Sequence, residues 1–180
     1  MITLNPLAPV HAAVAAALHA TCFDPAWSEE AVAGLLVLPT CFGLLAVDAA
    51  ATPPEPRGLI LCSVAADEAE VLTVCVRPED RSRGTGRRLL GAACDSAAAA
   101  GARSMFLEVA EDNVHAMAMY ETSGFVRVGR RRGYYARRDG AVDPARRDGA
   151  VDPARRDGAV DPARRDGAVD AILLRREISL

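Results

Sequence analysis

A chain of 180 residues, 51% of them hydrophobic, is long enough for one domain with its own core and too apolar to be disordered throughout. A formal charge of −3 excludes a general polyanion binder, which needs a strong basic excess, so no direct nucleic-acid partner is expected. No apolar run reaches the roughly 18 residues a membrane helix needs, and the start MITLNPLAPVHAAV has no basic region before its apolar stretch, so a cytoplasmic, membrane-free location is expected.

ITL near the start reads as a short strand. Pro6 to Cys22 carries Leu7, Val10, Val14, Leu18 and Cys22 at helical spacing, which predicts a helix. Ser28 followed by Glu29 and Glu30 reads as an N-cap with acids in the first turn, opening a second helix that runs to about Leu38 before Pro39. CFGLLAV (Cys41–Val47), RGLILCSVA (Arg57–Ala65) and EVLTVCVRP (Glu70–Pro78) read as three strands of an antiparallel meander. A Gly-rich turn then opens a helix running to about Ala100, stopped by Gly101. SMFLEVA (Ser104–Ala110) is a strand, and Asn113 caps a helix running to about Ser123. Phe125–Tyr135 and Ala171–Leu180 complete the strands. The order predicts an α/β domain with a mixed, mostly antiparallel sheet of six or seven strands and helices on both faces.

The sharpest chemical signal is Arg81-Ser82-Arg83-Gly84-Thr85-Gly86, after a strand and opening a helix. Glycines let the backbone curl, and the free N–H groups of a helix start make an anion site. Arg83, Arg87 and Arg88 add positive charge there. An ordinary strand–helix turn has the same spacing and stands as the alternative. A P-loop is excluded because the chain has no Lys, and the G-x-G-x-x-G dinucleotide pattern is missing. Glu108 lies inside an apolar strand, where desolvation would raise its pKa and suit it to general base work. Tyr120, on the following helix, could donate a proton. The plainer readings are a strand-end carboxylate in water and a core aromatic with a wet hydroxyl. His115 reads as exposed, and His11 and His19 as helix-surface residues without a role. The five cysteines, Cys22, Cys41, Cys62, Cys75 and Cys94, form no C-x-x-C pair and no ligand spacing with His, which predicts reduced thiols and no metal.

VCVRPEDRSRGTGRRLL and LEVAEDNVHAMAMYETSGF together resemble the GNAT family of acyl-CoA-dependent N-acetyltransferases, whose motif R/Q-x-x-G-x-G/A is met by Arg81, Gly84 and Gly86. FDPAWS (Phe23–Ser28) is similar to the family's F-x-x-P-W-S segment, with an Ala between Pro and Trp as a departure. RRGYY followed by DGAVDAILLRREI is similar to its closing hairpin. More narrowly, the likeness is to the bacterial branch that acetylates the N-terminal alanine of ribosomal protein S18. The resemblance implies the GNAT fold, acetyl-CoA as co-substrate, and a protein N-terminus, that of S18, as acceptor. It implies that Val74, Cys75 and Val76 hold the thioester and pantetheine through their backbone. Ser82, Arg83, Gly84, Thr85, Gly86 and Arg87 would wrap the pyrophosphate, and Asn113 would contact the cofactor. Glu108 would be the general base, acting through water, and Tyr120 the general acid for the leaving thiolate. A GNAT enzyme acting on a small amine is a second reading, because acceptor pockets vary while the acyl-CoA half stays constant. A non-catalytic acyl-CoA-binding protein is a third.

From Ala136 to Ala171 one unit, ARRDGAVDP, is read four times, with Ala replacing the last Pro. It falls within the segment joining the family's last two strands, where one copy would suffice. Removing three copies of nine residues from 180 leaves 153, an ordinary length for the family. Residues 1–135 and 171–180 are therefore expected to form the domain, and 136–170 a solvated hairpin-loop insertion. With Val as the only sizeable apolar residue per unit, burial is too small to offset chain entropy. Closing a loop about fourfold longer costs only about 1.2 kcal/mol. Calcium β-roll binding needs G-G-x-G-x-D-x-U-x, which the unit lacks, and its Asp residues neutralise its Arg residues against RNA.

Overall fold

The computed structural model describes residues 1–135 and 168–178. In chain order these form β1 (Ile2–Pro6), α1 (Ala12–Ala20), α2 (Glu29–Leu36), β2 (Cys41–Asp48), β3 (Glu55–Ala65), β4 (Glu68–Val76), α3 (Thr85–Ala99), β5 (Ser104–Ala110), α4 (Val114–Thr122), β6 (Val126–Tyr135) and β7 (Val169–Glu177). The strands make one sheet in the order β1-β2-β3-β4-β5-β7-β6. Every pair is antiparallel except β4–β5, which the α3 crossover makes parallel. The expected meander and crossover are both present.

The β4–β5 ladder pairs only Glu68–Glu70 with Ser104–Phe106. β4 runs on to Val76 and β5 to Ala110, so their facing edges part beyond Glu70 and Phe106. β5 keeps its other partner, β7, along its whole length. The sheet is thus split from one end, and each half is held together by its own ladders.

Each face of the sheet buries its own apolar stripe. Ile60, Val71, Val74, Leu107 and Val109 pack with Leu89, Leu90, Ala93 and Ala97 of α3 and with Ala116, Met117 and Tyr120 of α4. On the opposite face Leu45, Leu59, Leu61, Leu72 and Cys75 pack with Ala15, Leu18 and Cys22 at α1 and Val32 of α2. Side chains alternate along a strand. Met105, Leu107 and Val109 face α3 and α4, so Glu108 faces the other way.

The N-terminal helix is shorter than the periodicity implies. Pro6 ends β1, pairing with Leu44 on the sheet edge, where a missing N–H is tolerated. The helical turn begins only at Pro9 and α1 at Ala12. Val10 and Val14, expected on the buried face, are 84% and 42% exposed, while the expected Leu7, Leu18 and Cys22 are buried together with Ala15. Ser28 caps α2 as expected, its Oγ accepting from Ala31 N at 3.2 Å. That helix closes at Leu36, leaving Val37 and Leu38 exposed.

His19 overturns a surface expectation. It is 1% exposed, stacked on Phe23 at 4.2 Å and Trp27 at 4.9 Å, and its Nδ1 accepts from Trp27 N at 3.2 Å. Burial lowers its pKa from 6.5 to about 4. A base with a depressed folded pKa stabilises the fold fully above 6.5, and that contribution is lost as pH falls from 6.5 towards 4. We expect stability to drop by up to about 3 kcal/mol over this window, and His19→Phe to flatten the drop in urea titrations at stepped pH.

β7 lies between β5 and β6 and begins at Val169, earlier than the expected Ala171, so the last repeat copy contributes its Val169, Asp170 and Ala171 to the sheet. Tyr135 pairs with Val169 where the two strands meet. Asp170 fastens this neck. It accepts from Gly133 N at 2.7 Å and Arg130 Nε at 2.6 Å, and Arg130 also reaches Glu111 at 2.6 Å. The rest of the repeat, 136–167, and with it the loop reading, lies outside the described residues.

Candidate active site

The turn between β4 and α3 is curled by two left-handed residues, Ser82 (φ 60°) and Gly84 (φ 83°). A side chain tolerates this region poorly, so the strain at Ser82 is held by its surroundings. Gly84 is the N-cap of α3 and no side chain caps it, which leaves the first-turn N–H groups available to an anion. A Cβ at Gly86 would meet Met119 Sδ of α4 at 3.1 Å, so a side chain there would push the Met119 side chain back by a few tenths of an ångström. The base of the turn is anchored by Asp80, which sequence reasoning passed over. Burial alone would raise the Asp80 carboxyl. The hydrogen bond and charge of Arg77, at 2.8 Å, and then of Arg57 more than offset it and hold it below the ordinary range.

This turn, the end of β4 and α4 enclose a cavity of about 600 Å³ on the α3–α4 side of the split. Val74, Cys75, Val76, Ser82, Gly84, Thr85, Gly86, Arg87, Asn113 and Tyr120, all singled out from sequence, line it. Arg81, Asp80, His115, Ala116 and Met119 join them. The expected cations divide differently. Arg81 and Arg87 line the cavity, Arg83 turns to Asp80 at 3.5 Å, and Arg88 turns away to Ile2 O at 3.0 Å. Arg83 is not among the lining residues.

Asn113 Oδ1 caps α4 through Ala116 N at 3.0 Å, while its Nδ2 is buried without a partner in a residue only 3% exposed. Leaving such a donor unpaired costs about 1–3 kcal/mol. Its presence on the cavity wall fits a ligand with an acceptor there. The cavity as a whole suits coenzyme A: curled backbone and two guanidinium groups for phosphates, the end of β4 beyond its last pair with β5 for an amide chain, and an apolar wall.

Glu108 is placed on the other side of the sheet from Tyr120, and just beyond the last paired residue, Phe106, where the split has opened. It is 4% exposed, and Arg131 Nε of β6 pairs with its Oε1 at 2.9 Å. Burial raises its pKa. Arg131 pulls it back, Glu70 of β4 raises it again, Tyr134 lowers it slightly, and the net shift is upward. Arg131 also lies over the Tyr134 ring at 5.5 Å. The split is therefore flanked by a cavity bearing Tyr120 on one face and a desolvated carboxylate on the other.

Among the described residues, no three His, Cys, Asp or Glu side chains gather as metal ligands, and no helix is long and apolar enough to cross a membrane.

Comparison with known proteins agrees with this architecture. Residues 14–125 match the acetyltransferase (GNAT) family. The chain is 36% identical over 83 residues to the [ribosomal protein bS18]-alanine N-acetyltransferase of Escherichia coli K12, covering 46% of this chain and 56% of that protein. It is 47% identical over 68 residues to N-alpha-acetyltransferase RimI of Mycobacterium tuberculosis H37Rv, covering 38% of this chain and 41% of that one. The matches thus span about half the length of these relatives. The crystal structure of the Escherichia coli ribosomal-protein-S18-alanine N-acetyltransferase superposes with a TM-score of 0.77 at 23% identity, over 100% of this chain and 96% of that one, which shows the shared fold. The chain belongs to the acetyltransferase (GNAT) family.

Proposed function

We propose that the protein transfers the acetyl group of acetyl-CoA to the N-terminal α-amine of a protein, with ribosomal protein S18 as the acceptor that its relatives' names suggest. The observation that carries this reading is the split sheet, with a curled turn at the start of α3 and a cavity on one face and Glu108 on the other. Two substrates can meet in such a gap from opposite faces. Ser82, Gly84, Thr85, Gly86 and Arg87 hold the pyrophosphate, and the backbone of Val74, Cys75 and Val76 holds the pantetheine and polarises the thioester carbonyl. Asn113 Nδ2 donates to the same ligand.

Glu108 accepts the proton of the incoming ammonium through water. An α-ammonium has a pKa of about 7.7–8.0, so a modest base suffices. The freed amine attacks the thioester carbonyl, the C–S bond breaks, and Tyr120 protonates the departing thiolate. No covalent enzyme intermediate is needed.

Coenzyme A release from acetyl-CoA is the test, with three acceptors: a peptide with a free N-terminal Ala, the same peptide N-blocked with an internal Lys, and a panel of small amines. We expect turnover with the free N-terminus alone. Turnover confined to small amines would replace this reading.

A further inference from the structure

Two cysteines that the reaction does not use meet beneath the wall of the cavity. Cys22 follows α1 and Cys75 is the penultimate residue of β4, and both are buried at 2% and 1% exposure. They pack in the same apolar cluster, with the Cys75 side chain in hydrogen-bonding contact with the Cys22 sulfur. Cys22 Sγ also donates to Val76 O at 3.3 Å, and Arg81 Nε donates to that same carbonyl at 3.2 Å. Cys75, Val76 and Arg81 all line the cavity. One carbonyl thus joins the cysteine pair to the cofactor wall.

The surroundings favour reaction at Cys22. The Cys75 side chain, then Thr21 and Arg81, bring its thiol down to about 6 despite burial. Cys62 and Cys94 go the other way, pushed up by burial, and remain protonated near neutrality. A thiolate is the form that attacks a peroxide.

We propose that Cys22 and Cys75 are a modification site for hydrogen peroxide, which converts them to a disulfide and weakens the hold of the cavity on acetyl-CoA. The Cys22 thiolate attacks one peroxide oxygen, the O–O bond breaks, and the leaving hydroxide takes up a proton as water. The Cys75 sulfur then attacks the resulting sulfenic acid, the S–O bond breaks, and a second water departs with the Cys75 proton. The two sulfurs lose two electrons and the peroxide gains them. The Cys22 contact to Val76 O is lost and the end of β4 is drawn to α1, displacing the backbone assigned to pantetheine. The effect on acetyl-CoA rests on the function proposed above.

The test uses the full chain at neutral pH, reduced or treated with hydrogen peroxide, then alkylated and mapped by mass spectrometry. Acetyl-CoA affinity is measured by calorimetry before oxidation, after it, and after dithiothreitol. We expect a Cys22–Cys75 cross-linked peptide, at least about a tenfold loss of affinity, and recovery on reduction. C22A should give no cross-link and equal affinity with and without peroxide. A disulfide on any other pair, Cys22 driven to sulfinic acid with Cys75 free, or a cross-link that leaves affinity unchanged would each overturn the proposal. Reduced protein that binds no acetyl-CoA would instead overturn the reading of the cavity and the affinity effect with it, and the cross-link map would still decide the dithiol.

Discussion

Replacing Glu108 with glutamine is expected to lower turnover by about 10²- to 10⁴-fold, the usual contribution of a general base, without lowering thermal stability. The second half follows from linkage. A carboxyl whose folded pKa is raised stabilises the fold when protonated and loses that contribution as pH rises through the raised value. At neutral pH the buried Glu108 carboxylate therefore works against the fold, and a neutral isostere relieves it. Arg131, left without its partner, is half in solvent and rehydrates easily. Steady-state rates and melting curves on one preparation check both halves, and a variant that melts early would show the carboxylate to be structural.

The neighbours of Glu108 make the assignment sharper. The acid limb of the kcat/KM profile should track its ionisation. Arg131→Gln removes a lowering charge and should move the limb to higher pH. Glu70→Gln removes a raising charge and should move it to lower pH. Opposite displacements from two residues on different strands are not what general loosening of the site would produce.

Ala171→Pro is expected to destabilise the domain by about 3 kcal/mol or more, the scale of a proline placed where the backbone needs its N–H. Ala171 is 1% exposed and pairs with Ala110 on one side and Arg131 on the other. A residue between two strands has no open side on which a missing N–H is harmless. This accounts for the single departure in the repeat: the copy that ends in Ala is the one whose last residues enter a central strand. Chemical denaturation of the variant measures the loss.

Much of this architecture was legible because it is written in local chemistry. Alternation located the strands, Ser28 and Asn113 announced their helices as caps, and Gly84 and Gly86 marked the curled turn. Glu108 stood out as a charge in an apolar strand. What was hidden depends on contacts between distant segments. Arg88 and Arg83 look like further phosphate ligands in sequence, and only the fold shows one reaching Ile2 and the other Asp80. His19 sits on an Ala-rich helix that looks outward until Phe23 and Trp27 fold over it. Cys22 and Cys75 are 53 positions apart in the sequence and carry no spacing signal.

The neck where Tyr135 meets Val169 has a genetic consequence. The last pair described between β6 and β7 is Tyr135 with Val169, and the residues that open β7 are Val-Asp-Ala whichever copies precede them in the sequence. Replication slippage that adds or deletes a whole unit therefore presents the same residues to β5 and β6 and the same aspartate to Gly133 and Arg130. The contacts that β7 makes with β5 and β6 do not depend on copy number, and related lineages are expected to differ in it while sharing these strands.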